Sequence, residues 1–245
     1  MNRTPLFSQA VLAVGVLCLG VTSAQSQSVY RVRAGATGIG DGSDWNNAYP
    51  SLPATLQRGA TYYIGSGTYS GRVFNDAVSG TAVITIKKAT TSDHGTDTGW
   101  KESYGGQAVF NSTLEFDTGY YVFDGQTRNE SNWFDGTSYG IQVANNNQDE
   151  NIILRGSGSI PASNITIRDV FVKAIHGTLP QTTIRRYAVD TETFDNSMLH
   201  TGLLFQRMYI CGSNQHWYLR QSIGSIVEFC ATKGIVSNSA TVAKT

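Results

Sequence analysis

Four arginines and one histidine are the side chains of this sequence best suited to work on a charged or polar ligand: Arg155, Arg168, Arg207, Arg220 and His216. The arginines fall at or beside what read as outward positions of short apolar segments, and His216 lies near them. A guanidinium is a planar fork that meets a carboxylate through two parallel hydrogen bonds. Breaking a uronate linkage by elimination needs a base for the proton beside the carboxylate and a cation to neutralise that carboxylate. The arginines suit the second role. Outward arginines also commonly do no more than pair with neighbours, here Asp169 and Glu228.

Hydrolysis would require two carboxylates facing each other across the sugar bond. Asp190, Glu192 and Asp195 cluster in the sequence, and that clustering reads as a surface loop. The stretches 145–150 and 41–44 carry oxygen donors of the kind calcium accepts, but their spacing forms no ligand motif and both read as turns. No cofactor is expected, calcium being the one ion these loops would suit. Trp100 and Trp133 lie in the long loops 90–107 and 127–140, where flat rings suit pyranoses, whereas Trp45 and Trp217 read as core.

Short strands must position these groups. Apolar, β-branched runs recur between turn residues at 83–86, 108–110, 120–123, 140–143, 152–154, 165–172, 203–210, 217–219 and 226–229. Two internal matches tie the runs together. Residues 164–172 align with 202–210 at an offset of 38, setting Ile165, Ile167, Val170 and Val172 over Leu203, Phe205, Met208 and Ile210. Residues 151–157 align with 216–222 at an offset of 65, setting Leu154 over Leu219 and Arg155 over Arg220. Taken as two and three rungs of about 19 to 22 residues each, these offsets predict an all-β parallel β-helix, a solenoid with apolar residues turned in and polar residues turned out.

The 245 residues hold enough material for one such domain. Charged residues are 15% of the chain and 26 residues are Gly, which suits a β-rich exported protein. Eighteen basic residues balance eighteen acidic ones, so nothing favours a nucleic-acid partner, and a polysaccharide fits the polar, neutral surface better.

Residues 1–24 have the positive start, apolar middle and small-residue exit of a secretory signal, which predicts a secreted, periplasmic or cell-surface protein with no membrane insertion after cleavage. Residues 25–60 read as an N-terminal cap, with Leu52, Ala54 and Leu56 covering the open end of the first rung. The rungs then run over 61–234, and 235–245 form a tail that reads as shortened. Cys211 and Cys230 would stack at an offset of 19 but lie diagonal at about 21, and two free thiols are the preferred reading. Oligomeric state is left open.

Four pieces of the sequence also resemble a known family: Arg58-Gly-Ala-Thr-Tyr-Tyr-Ile-Gly-Ser-Gly-Thr-Tyr69, Ser79-Gly-Thr-Ala-Val-Ile-Thr-Ile-Lys-Lys-Ala-Thr90, Gly106-Gln-Ala-Val-Phe110 and Tyr121-Val-Phe-Asp-Gly125. Their order resembles the right-handed parallel β-helix superfamily of pectate-lyase-like proteins. Within it, they are similar to the opening coils of the alginate lyase and chondroitinase B group and of exported right-handed β-helix repeat proteins. The resemblance implies the right-handed form of the fold and a uronate-containing polysaccharide as substrate or ligand. It implies either a polysaccharide lyase, whole or incomplete, or a non-catalytic surface or adhesion module. It carries no catalytic residue across. The chain has Asp93-His-Gly95 and Ile175-His-Gly177, but neither Asp-Asp, nor Gly-His-Gly, nor Trp-x-Asp-His, nor the Asn-Gly-x-Glu neighbourhood of alginate lyases.

Overall fold

The structure, a computed structural model, describes residues 27–144, 150–174, 187–191, 198–213 and 215–234. The signal reading of 1–24, the tail 235–245, most of the 145–150 loop, His176, Glu192 and Asp195 lie outside the described residues. Within them, short β-branched and aromatic runs bounded by Gly, Asn and Asp become strands of mostly three to five residues.

These strands form three parallel sheets and a small two-stranded one. The seven-stranded sheet consists, in spatial and chain order, of Val29–Val32, Thr61–Ile64, Ile84–Lys88, Tyr121–Asp124, Ile165–Arg168, Leu203–Gln206 and Ile226–Glu228. The six-stranded sheet holds Gly67–Tyr69, Ala108–Phe110, Ile141–Val143, Val170–Lys173, Tyr209–Cys211 and Ala231–Lys233. The five-stranded sheet holds Arg72–Phe74, Leu114–Phe116, Glu150–Leu154, Tyr187–Asp190 and Gln215–Tyr218. From Thr61 onward the chain visits the seven-, six- and five-stranded sheets in that order and then repeats. A pair formed by His200–Thr201 and Ser222–Ile223 precedes the last two visits to the seven-stranded sheet.

Both offsets seen in the sequence are true registers. Ile165 pairs with Leu203 and Val172 with Ile210, the offset of 38. Ile152 pairs with Val189 and Val189 with Trp217, which together give 65. The number of rungs they span is corrected: 38 residues make one step between neighbouring strands, and 65 make two. Steps are also unequal, from 22 residues between Leu204 and Ile226 to 44 between Tyr121 and Ile165. Loops inserted between sheets cause this, because lengthening a surface connection costs little.

Two runs that read as single strands each break in two. Residues 165–172 divide at Asp169 (φ 54°) and residues 203–210 at Arg207 (φ 56°), and at each break the chain passes from the seven-stranded to the six-stranded sheet. A left-handed residue turns an extended chain within a single position. The seven-stranded sheet also begins earlier than Thr61, since Val29–Val32 pairs with Thr61–Ile64 and makes part of the cap its first strand.

Inward residues of all three sheets share one core. At its centre Phe74 stacks on Phe116 with centroids 4.5 Å apart, and Tyr121 and Phe123 meet Phe74 edge-on. The 51–57 segment is irregular and supplies buried Leu56, with Leu52 packed against the core. Arg58 locks the cap by donating to the carbonyls of Ala77 (3.0 Å), Gly119 (2.8 Å) and Tyr120 (3.0 Å), with its guanidinium 4.7 Å from the Tyr121 ring centre. Among the described residues no helix is long and apolar enough to cross a membrane.

Candidate functional site on the five-stranded sheet

The outward face of the five-stranded sheet carries a cleft of about 350 Å³, within the size range of small-ligand sites. Arg72, Thr113, Glu115, Glu150 and Arg155 supply its polar lining. Strand alternation turns Glu115 outward between the buried, inward Leu114 and Phe116. In register beside Glu115 stand Val73 on one side and Ile153 on the other, followed by Asp190 and Tyr218. Gly71 forms the floor: a Cβ there would lie 2.2 Å from the Thr113 carbonyl oxygen, so the chain can approach this closely only without a side chain.

Arg155 follows the strand Glu150–Leu154, and its Nε lies 3.0 Å from Glu115 Oε1, both side chains being about a quarter exposed. Asp117 lies two residues beyond Glu115. Burial pushes the Asp117 carboxyl above the ordinary carboxylate range, the nearby Glu115 charge pushes it further, and the Arg155 charge opposes them. Arg72 is committed to the cap, donating to the carbonyls of Pro53 and Ala54 and lying 3.6 Å from Asp76. The cleft therefore brings together the partly exposed Arg155 guanidinium and the side chains of Glu115 and Glu150.

The five residues singled out in the sequence do not share one face. His216 lies in the five-stranded sheet, and Arg155 and Arg220 follow two of its strands, Glu150–Leu154 and Gln215–Tyr218. Arg220 lies over the Tyr218 ring at 4.2 Å, and Tyr218 stacks on Tyr187 at 4.3 Å. His216 sits four residues before Arg220, and burial lowers its pKa below the ordinary imidazole value. Arg168 and Arg207 belong instead to the seven-stranded sheet and its corner. Arg168 pairs with Asp124 at 2.7 Å, and Arg207 with Asp169 at 2.7 Å and Glu130 at 2.9 Å.

The remaining candidates fall away from the cleft or into structural roles. Asp190 is 1% exposed within the five-stranded sheet. Asp41 and Asp44 spend carboxylate oxygens on the N–H groups of Ser43, Asn46 and Asn47 in their own turn. Trp45 is fully buried, its Nε1 donating to the His94 carbonyl at 3.1 Å, and Trp217 packs against Phe205. Trp100 is stacked on by His94 at 4.1 Å, and Trp133 is covered by the Arg128 guanidinium at 4.0 Å. Among the described residues no three His, Cys, Asp or Glu side chains gather as a metal site. Cys211 and Cys230 are free thiols.

Glu115 was missed in the sequence, although its place held the clue: in Leu114-Glu-Phe116 an acid stands between two apolar residues, and successive residues of a strand face opposite sides.

Comparison of the chain with protein-family models, with curated proteins and with solved structures finds no match.

Proposed function

We infer that this protein is an exported, right-handed parallel β-helix of the pectate-lyase-like kind that binds polysaccharide along the outward face of its five-stranded sheet. The fixed order in which the chain visits three parallel sheets around one core supports the β-helix reading, and the resemblance of residues 58–125 supports the family. Export to the periplasm or cell surface rests on the pattern of residues 1–24.

The observation that carries the functional reading is the cleft over Glu115 and Arg155. It is polar, Tyr218 lies two strands further along the same sheet with Arg220 over its ring, and a long outward sheet face of this kind suits an extended chain of sugars. Loss of retention on alginate, pectate and chondroitin columns after Arg155→Ala and Arg220→Ala are combined is the expected result. Unchanged retention of the double variant on every column would remove this face from the account.

A lyase activity is the second reading, favoured by one observation: Arg155 stands 3.0 Å from the Glu115 carboxylate in the cleft. Elimination requires a cation for the uronate carboxylate and groups that take and give protons. Incubation with the same three polymers, followed by the absorbance of the unsaturated product, separates an enzyme from a binding module.

A further inference from the structure

A second, smaller hollow of about 160 Å³ lies where residues 51 and 52 of the cap cross the corner between Gly67–Tyr69 and Arg72–Phe74. Gly71 and Arg72 line both this hollow and the cleft over Glu115, so the two adjoin. Its apolar wall comes from Leu52 and from the rings of Tyr69 and Phe110, which are buried and stacked with centroids 5.5 Å apart. The Tyr69 hydroxyl is engaged elsewhere: it donates to the Gly65 carbonyl at 2.9 Å and accepts from the Ala34 N–H at 3.1 Å. Arg72 is the one charged residue of the lining, and its guanidinium is held by the carbonyls of Pro53 and Ala54, with Asp76 3.6 Å away. Exposed Ser51 and Ser70 complete the lining on the solvent side.

These walls restrict what can enter. The volume is well below the ~300 Å³ at which pockets begin to hold a whole small molecule, so the hollow suits a substituent carried by a larger ligand. A carboxylate or sulfate would shed its hydration against rings, with the one cation of the lining already committed. A methyl group gains by leaving water for those rings, and a serine hydroxyl can donate to a carbonyl beside it. A small uncharged acyl group carries both features.

We propose that this hollow seats an O-acetyl group of a glycan whose sugar ring lies in the adjoining cleft, so that the protein prefers acetylated chains to bare ones. The ester stays intact; no covalent bond is made or broken. This assignment rests on the polysaccharide-binding reading above and adds the decoration that the ligand carries.

The test is titration calorimetry of the full chain with a partially O-acetylated oligogalacturonate and with the same material after saponification. The acetylated form is expected to bind about fivefold tighter, the gain from burying one methyl group. Ser70→Leu and Ser51→Leu each place an apolar side chain at the hollow and are expected to abolish this preference, the acetylated form falling to the affinity of the saponified one. Equal binding of the two forms by the parent overturns the assignment while the polysaccharide reading stands. So does a preference kept by both variants alongside a raised melting temperature, which would make the hollow a mere gap in packing, or kept by both without one. Binding of neither form overturns both readings.

Discussion

Asp169 and Arg207 occupy the same corner of the molecule one step apart, 38 residues from each other, and the Asp169 carboxylate accepts from Arg207 Nε at 2.7 Å. Both hold a left-handed conformation, with φ of 54° and 56°, where a non-glycine side chain is strained. The pair converts two adjacent strained corners into a mutual brace, and Glu130 extends it by meeting Arg207 at 2.9 Å.

Replacing Arg207 with Met leaves Asp169, 4% exposed, without its partner. The loss should be about 1–2 kcal/mol, the lower part of the range for charged hydrogen bonds because the Arg207 side chain is a third exposed. A lower urea midpoint at unchanged slope is the expected reading; an unchanged midpoint would show that the corners hold themselves.

Asp169 also gives a pH signature. Burial raises its carboxyl above the ordinary value of 3.8, with Arg207 opposing, so in the folded state it keeps a proton that the unfolded chain releases. Its contribution is full below 3.8 and is lost as pH rises through the higher folded value. Asp169→Asn should remove that decline, so the difference in unfolding free energy between variant and parent changes across this window and is flat above it.

Lys88 titrates in the opposite sense. Its ammonium is buried, donating to the carbonyls of Ala89 and Tyr104, and burial lowers its pKa from 10.5 to about 7. Between those values the unfolded chain binds the proton and the folded one does not, so stability rises with pH across the window and falls as pH drops toward 7. Thermal melts of Lys88→Met should lack this slope, which approaches about 1.4 kcal/mol per pH unit in the parent.

Gly125 marks where two passes of the chain touch. A Cβ at that position would lie 1.9 Å from the Asp169 carbonyl oxygen, which the backbone cannot yield without shifting the next strand. Gly125→Ala should cost about 1–3 kcal/mol, measured by denaturant titration.

Truncating the central ring stack tests the shared core. Phe116 is fully buried between Phe74 and Tyr121, and Phe116→Ala should cost about 3–5 kcal/mol in a single cooperative transition. Two separate transitions would mean that the sheets melt independently.

Much of the fold was legible because strand alternation is a local property. Inward Ile165, Ile167, Leu203 and Phe205 alternate with outward neighbours, so aligning one run on another recovers the register at 38 and at 65. How many passes those offsets span was not legible. Loop lengths enter the count, and nothing in a strand records the length of the loop that precedes it.

The residues alone thus determined that short parallel strands would line one core, which positions face inward, and that arginines would stand outside. Only the tertiary structure decided which arginines keep company. Corners at Asp169 and Arg207 divide apparently single strands, sending Arg168 and Arg207 to one sheet and leaving Arg155 and Arg220 on another. Contact between Glu115 and Arg155 was beyond reach for the same reason: a pair 40 positions apart meets only when intervening loops bring their strands side by side.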